Sequence, residues 1–341
     1  MRAVRAMISG AIVVATLPVF ASCAAPAPSA PSSPSPPSAT VSPLTPSAPP
    51  NPTVPTGPPL PELTFPVRAA FYYQWFPEAW RQHGTSPYTR YTPSAGLYNS
   101  GDVATIRGQV AAMRYGGIQA AIVSWWGPGE KAEQTRMPAL LAAAAAVDPD
   151  FRIGLYYENE GGADPAADAV RADLDYVATR YATSPNFLRV SGRPVLFVYS
   201  ADDDCAVLDR WHAADPEHRF HLVFKVFHGY RQCGAQPDGW HQYEPAKPTS
   251  EVAAGTVSAG AFAISPGFWH AAPGAPTDPY LSRDVHRWER AIREMRRSRA
   301  AWQLVTTFNE WGEGTAVESA QEWQSPSGWG RYLDALHEVT D

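Results

Sequence analysis

Eight short apolar runs, rich in β-branched and aromatic residues, constrain the fold of this chain more than anything else in it. They are Ala69–Gln74, Gln119–Ser124, Arg152–Tyr157, Pro194–Tyr199, His221–Phe227, Gly239–Tyr243, Ala261–Ser265 and Gln303–Phe308. Most are separated by stretches with helical character: Val103–Tyr115, Glu133–Val147, Pro165–Tyr181, Ala206–Ala213 and Val285–Arg297, with Trp329–Val339 closing the chain. Strands this apolar have no face for water, which fits parallel strands covered on both sides. Eight such strands alternating with helices predict an α/β fold, a single (β/α)8 TIM barrel. A doubly wound open sheet is the alternative, but no glycine-rich phosphate loop follows the first strand. The sixth and seventh units are the least regular, because residues 244–260 carry no strong helix pattern.

The folded part is expected to begin well inside the chain. Arg2 and Arg5 precede an uncharged apolar run, Ala6 to Phe20, and Ala21 and Ser22 lead into Cys23. Residues 1–23 therefore read as a signal peptide, too short to serve comfortably as a membrane-spanning anchor. Small residues before a cysteine resemble a bacterial lipoprotein site, with Cys23 as the lipidated residue. Ordinary cleavage near Ala24 or Ala25 is the other reading. Residues 24–64 are mostly Pro, Ser, Ala and Thr with Glu62 as the sole charge, and read as a disordered linker. In polyproline II it would reach on the order of 100 Å. The sequence thus places a domain of residues 65–341 outside the cell, on the outer face of a bacterial membrane if Cys23 is acylated and secreted if it is not.

If Cys23 carries lipid, Cys205 and Cys233 remain as a disulfide pair in an oxidising compartment. Zinc binding by the same two lacks CxxC or HxxxH spacing. The formal net charge of −6 comes with no basic cluster, so nucleic acid is not an expected partner. The Arg-rich stretch Arg283–Arg299 has interspersed Glu and reads as an exposed barrel helix. Asp202, Asp203 and Asp204 read as a solvated loop, and His228, His241 and His270 are too scattered for a metal site. No cofactor and no metal are expected, and a monomer is.

Polar and aromatic residues gather at the C-terminal ends of the predicted strands, where barrel active sites are built. These ends carry Tyr73 and Trp75, Trp125 and Trp126, Glu158, Tyr199, and Tyr243. The eighth strand runs into Phe308-Asn309-Glu310-Trp311-Gly312-Glu313-Gly314-Thr315. A single rim aromatic is usually packing, and an acidic turn is usually only solvated. Indole, phenol and acid at nearly every strand end point instead to a carbohydrate cleft, since aromatic faces stack on sugar rings and carboxylates pair with hydroxyls. Two rim carboxylates held close together are the equipment of glycosidic cleavage.

These motifs resemble glycoside hydrolase family 99, the endo-α-mannosidase family, in order along the whole folded domain. Phe71-Tyr72-Tyr73-Gln74-Trp75-Phe76, Ser124-Trp125-Trp126-Gly127, Gly192-Arg193-Pro194-Val195-Leu196 and Ser265-Pro266-Gly267 are similar to its first, second, fourth and seventh strands. Most specific is the segment from Phe308 to Thr315 with Glu318, which resembles the family's Asn-Glu-Trp-His-Glu-Gly-Thr and trailing Glu. Gly312 stands where the family usually has His, which bears on the choice of sugar. The resemblance implies cleavage of α-mannosidic linkages, as in a mannan, with retention of configuration. It implies Glu310 as the base on the substrate's own 2-hydroxyl, giving a 1,2-anhydro sugar, and Glu313 as general acid/base. Glu313 would rest protonated and Glu310 ionised. Trp126 is expected as a stacking wall, Tyr73, Trp75, Trp125, Glu158, Tyr199, Tyr243, Asn309, Trp311 and Glu318 as further substrate-site residues. A glycan-binding lipoprotein that does not cut, and a hydrolase for another cell-wall sugar, are the other readings.

Overall fold

Residues on alternate sides of each strand separate into two apolar layers, and this separation builds the molecule. The computed structural model describes residues 53–129, 132–162, 164–200, 204–252 and 260–339. The chain divides into Met1–Asn51 and Pro52–Asp341, and all described residues belong to the second unit. The expected signal peptide, Cys23, the linker up to residue 52, and Asp202 and Asp203 lie outside the described residues.

The strands are β1 (Val67–Tyr72), β2 (Ala120–Trp125), β3 (Arg152–Tyr157), β4 (Arg189–Val190), β5 (Arg193–Val198), β6 (His221–Lys225), β7 (Gly239–His241), β8 (Thr249–Val252), β9 (Ala261–Ile264) and β10 (Trp302–Val305). The helices are α1 (Val103–Tyr115), α2 (Met137–Val147), α3 (Ala167–Arg180), α4 (Ala206–Ala214), α5 (Val285–Ser298) and α6 (Arg331–Glu338). Parallel pairing runs β7-β6-β5-β3-β2-β1-β10-β9, with Val67 opposite Trp302 and Ala69 opposite Ala120 on the two sides of β1. β9 comes back into contact with β7, so eight parallel strands form a nearly closed (β/α)8 barrel.

Side chains alternate strictly along β1. Val67, Ala69, Phe71 and Tyr73 join the barrel interior with Tyr156, Phe197 and Trp302. Ala70 and Tyr72 point the other way, into the larger layer between strands and helices that holds Trp125, Trp211, Trp288 and Leu333. All eight predicted parallel strands are present, and all six predicted helices. Among the described residues the irregular stretch after the sixth unit holds no helix. Pro245 and Pro248 break helical hydrogen bonding there, and Thr249–Val252 instead pairs antiparallel with β9, Thr249 opposite Ile264.

One boundary moves. Residues 53–64, read from composition as linker, are held against the barrel. The Pro61 carbonyl accepts from Arg152 Nη2 at 2.8 Å, and the Glu62 carboxylate accepts from the backbone N–H groups of Ser191 and Gly192 at 2.8 and 2.5 Å. Leu63 packs against the interior cluster. The single charge of this proline-rich stretch thus satisfies an exposed turn between β4 and β5. The folded unit therefore starts near residue 52.

Cys205, at the start of α4, and Cys233 are joined by a disulfide, with Cα atoms 5.2 Å apart. No described helix is long and apolar enough to cross a membrane.

Candidate active site

β10 leads directly into a tightly cross-linked loop that presents both acids. The Thr307 hydroxyl accepts from the Glu310 N–H at 2.8 Å, and Thr315 N–H returns to the Glu310 carbonyl at 3.2 Å. Thr307 and Thr315 hydroxyls meet at 2.9 Å across the neck of the loop. Gly314 takes φ +65°, a conformation that costs a glycine little, and its N–H closes on the Trp311 carbonyl at 3.1 Å. The loop after β9 holds it from outside: Trp269 N–H donates to the Glu313 carbonyl and Ala271 N–H to the Gly312 carbonyl, both at 2.8 Å. The turn folds Glu313 back onto its partner, its N–H donating to Glu310 Oε1 at 3.3 Å.

Around this pair the interior-facing side chains of other strands converge. Tyr243, just beyond β7, donates its hydroxyl to Glu313 Oε2 at 3.3 Å. The Tyr73 and Tyr243 hydroxyls are 3.0 Å apart. Glu158, beyond β3, is buried and close enough to Glu313 for its charge to be felt. Burial pushes the Glu158 carboxyl up to about 8. The Ser124 hydroxyl, near it but outside good hydrogen-bond geometry, and Lys225 offset part of that rise, while the charge of Glu313 adds to it. Burial raises Glu313 to about 7, moderated by Tyr243. Glu310 is raised further, well above the ordinary carboxyl range, by burial and then by the charge of Glu313. The two acids titrate as a pair that holds a proton at neutral pH. The unliganded site thus differs from the expected ionised Glu310: burial and the charge of Glu313 outweigh the backbone N–H groups of Glu313 and Gly312 that favour its charged form.

This electrostatics makes stability pH-dependent. Glu158, Glu313 and Glu318 have folded-state values of about 8, 7 and 7, all above the ordinary 4.5. Between those limits the folded state binds more protons than the unfolded chain, so stability present below about pH 4.5 is lost as pH rises through 7 to 8. Scanning calorimetry should show a lower Tm at pH 8 than at pH 5. Glu158→Gln should flatten that dependence; an unchanged slope would remove Glu158 as a contributor.

Residues 74–212 match the model of glycosyl hydrolase family 99, a stretch running from the end of β1 through most of α4 and including Glu158. The chain carries a glycosyl hydrolase family 99-like domain. No curated protein matches it. Among solved structures, the GH99 endo-alpha-mannosidase from Bacteroides thetaiotaomicron superposes with a TM-score of 0.61 at 20% identity, covering 81% of this chain and 96% of that one. The structure of the same enzyme type from that organism in complex with Bis-Tris propane gives 0.60, with the same identity and coverage. A glycoside hydrolase-like protein gives 0.57 at 14% identity, covering 83% of this chain and 97% of that one. At such identities the likeness establishes the shared fold, and the family match makes this a glycoside hydrolase with a carbohydrate substrate.

The residues expected at the site of the family 99-like domain fall into two groups. Glu310, Glu313, Tyr73, Tyr243 and Glu158 are brought together. Tyr199 is half-buried on the same rim, with the Lys225 ammonium 4.3 Å above its ring, and Trp75 meets the Tyr73 ring edge-on at 4.5 Å. Trp126 is 39% exposed, its carbonyl accepting from Asn159.

Four others lie behind the cleft. Trp125 has no accessible surface and belongs to the outer layer, stacked toward Tyr176 of α3. Its neighbour Ser124 takes the inward position, because successive strand residues face opposite sides. Asn309, also fully buried, grips the Tyr73 backbone through both amide atoms at 2.8 Å. Trp311 donates to the Tyr98 hydroxyl at 3.0 Å and to Glu318 at 3.2 Å. Glu318 accepts from Tyr98 at 2.8 Å and Gln109 at 2.9 Å. In the structure Trp125, Asn309, Trp311 and Glu318 therefore support the rim from behind and offer the cleft no surface. Sequence reading missed Tyr98 and Gln109, which stand 220 and 209 residues from the carboxylate they bind and carry no local signature. Among the described residues no cluster of His, Cys, Asp or Glu is arranged to hold a metal ion.

Proposed function

We propose that this chain is an exported retaining glycoside hydrolase that cuts α-mannosidic linkages within a glycan, with Glu310 and Glu313 as its catalytic pair. The observation that carries the reading is the pair of acids presented by one rim loop, the Glu313 N–H donating to Glu310 Oε1 and the Tyr243 hydroxyl to Glu313 Oε2. A substrate 2-hydroxyl donating to Glu310 favours its ionised form and leaves the pair's proton on Glu313. Substrate binding would thus set the protonation states that the chemistry needs.

In the first step Glu310 takes the proton of the 2-hydroxyl, O2 attacks the anomeric carbon, and Glu313 protonates the departing glycosidic oxygen. In the second, Glu313 takes a proton from water as it attacks the anomeric carbon, and O2 recovers its proton from Glu310. Two inversions give net retention. The attack requires a 2-hydroxyl trans to the leaving group, which an α-mannoside has. The similar fold of two structures named as endo-alpha-mannosidases supports the choice of sugar and of internal cleavage. The disulfide supports export, since such bonds persist outside the reducing cytosol. Acylation at Cys23 would place the domain on a membrane surface.

An NMR time course on α-1,2- and α-1,6-linked mannans tests this reading, with the anomeric signal of the first product as readout. An α-configured product is expected. A β-configured first product would overturn the mechanism, and binding without cleavage would make the protein a glycan receptor.

A further inference from the structure

Tyr88 lies in the long loop between β1 and α1, far from any strand end, and the sequence gives it no special standing. The structure brings its ring onto Gly312, between the two acids in the chain. A Cβ on Gly312 would fall 2.5 Å from Tyr88 Cε1, 2.8 Å from its Cδ1 and 3.0 Å from Glu310 Oε1. The ring and the Glu310 carboxylate thus flank the same point, and the ring occupies space that a side chain at 312 would need. Gly312 is not in a left-handed conformation, so its value here is close approach.

The loop that delivers Tyr88 is firmly anchored. Tyr88 N–H donates to the Trp80 carbonyl at 2.8 Å, and Trp80 donates through its indole to the Tyr98 carbonyl at 2.8 Å. Farther along, Arg90 Nε donates to the His270 carbonyl at 2.6 Å. The Tyr88 ring is buried, yet its hydroxyl has no protein partner and is not among the sealed, unsatisfied atoms of the interior. Burial, then the charges of Glu310 and Glu313, raise its ionisation above the usual range, so it stays a hydrogen-bond donor. A rigid phenol with a free hydroxyl at the edge of an acid pair has one evident use.

We infer that Tyr88 is a substrate-contacting specificity residue, its hydroxyl bonding one hydroxyl of the glycan at the scissile linkage, and that Gly312 is the residue that admits it. This rests on the Glu310–Glu313 cleft being a glycosidic site. It does not depend on the sugar being mannose.

The test compares wild type with Tyr88→Phe on whichever member of a broad glycan panel wild type cleaves, and on monodeoxy versions of that substrate. Tyr88→Phe keeps the ring and should melt at the wild-type temperature. On the full substrate kcat/KM should fall about tenfold, carried mainly by KM, the scale of one hydrogen bond. On one deoxy congener the two proteins should agree within about twofold, since each lacks one half of the same pair. A Tyr88→Phe enzyme equal to wild type on the full substrate overturns the inference. So does an equal loss on every congener, the mark of a merely structural role. If wild type cleaves nothing, the same comparison is made by titration calorimetry. Absence of both cleavage and binding would overturn the glycosidic reading itself, and with it this one.

Discussion

Glu313→Gln should lower kcat on the natural glycan by about three orders of magnitude, the range of a lost general acid, with the fold intact. The amide is isosteric, and its oxygen can still accept from Tyr243. What it cannot do is give a proton to a poor leaving group. On an aryl glycoside, whose leaving group needs no protonation, a good part of the first-step rate should therefore return. Glu310→Gln should cost as much or more on the natural glycan and should show no such recovery. Its loss lies in activating the nucleophile, and the leaving group does not alter that. The pair of substrates thus separates the two roles, which kcat on one substrate would not. Equal recovery in both variants would assign the acid role to neither, and full activity in either would remove that residue from the mechanism. The unequal environments of the two carboxyls make the assignment reasonable. Glu313 is part-exposed with a phenol donor on Oε2, while Glu310 is buried and accepts on Oε1 from the Glu313 N–H.

How much of this was legible depended on the range of the interaction. The barrel was written in local apolar runs, and each strand lies where its own residues place it. Glu310 and Glu313 were legible because a single loop carries both, and Gly314 supplies the bend that loop requires. The two-residue period of strands was also in the sequence, and applied to β2 it assigns Ser124 to the inside and Trp125 to the outside. Expecting both neighbouring indoles in the cleft ignored that alternation. The anchoring of residues 53–64 was not legible, because composition registers proline content but not the few contacts that tie such a segment down. Tyr88, Tyr98 and Gln109 reach the acid-bearing loop through partners more than 200 residues away, and no local pattern records such a pairing.

The long-range network behind the rim makes the largest stability prediction. Glu318 is the common acceptor for Tyr98, Gln109 and Trp311, and its burial raises it to about 7 against the effect of those three donors. Glu318→Ala strands the Tyr98 and Gln109 donors, each worth about 1–3 kcal/mol when left unpaired, and opens a small cavity, while Trp311 keeps the Tyr98 hydroxyl as its acceptor. Removing the buried carboxyl returns part of that cost, so a net loss of about 3–5 kcal/mol is expected at pH 5. At pH 8 the wild-type protein has already lost the stability tied to the raised carboxyl, and the variant has no such group to lose. The measured gap should therefore shrink as pH rises from 5 to 8, the sign opposite to that of a carboxylate held ionised by its donors. Urea unfolding at the two pH values reads both quantities, provided the m-value is unchanged. Because Tyr98 also accepts from Asn309, which fixes the Tyr73 backbone, the variant should lose activity even where it remains folded. A loss below about 1 kcal/mol at pH 5 would mean that these donors find other partners and that the rim does not depend on Glu318. A gap that widened toward pH 8 would mean that the donors outweigh burial, and Glu318 would then be a charged anchor beneath the rim.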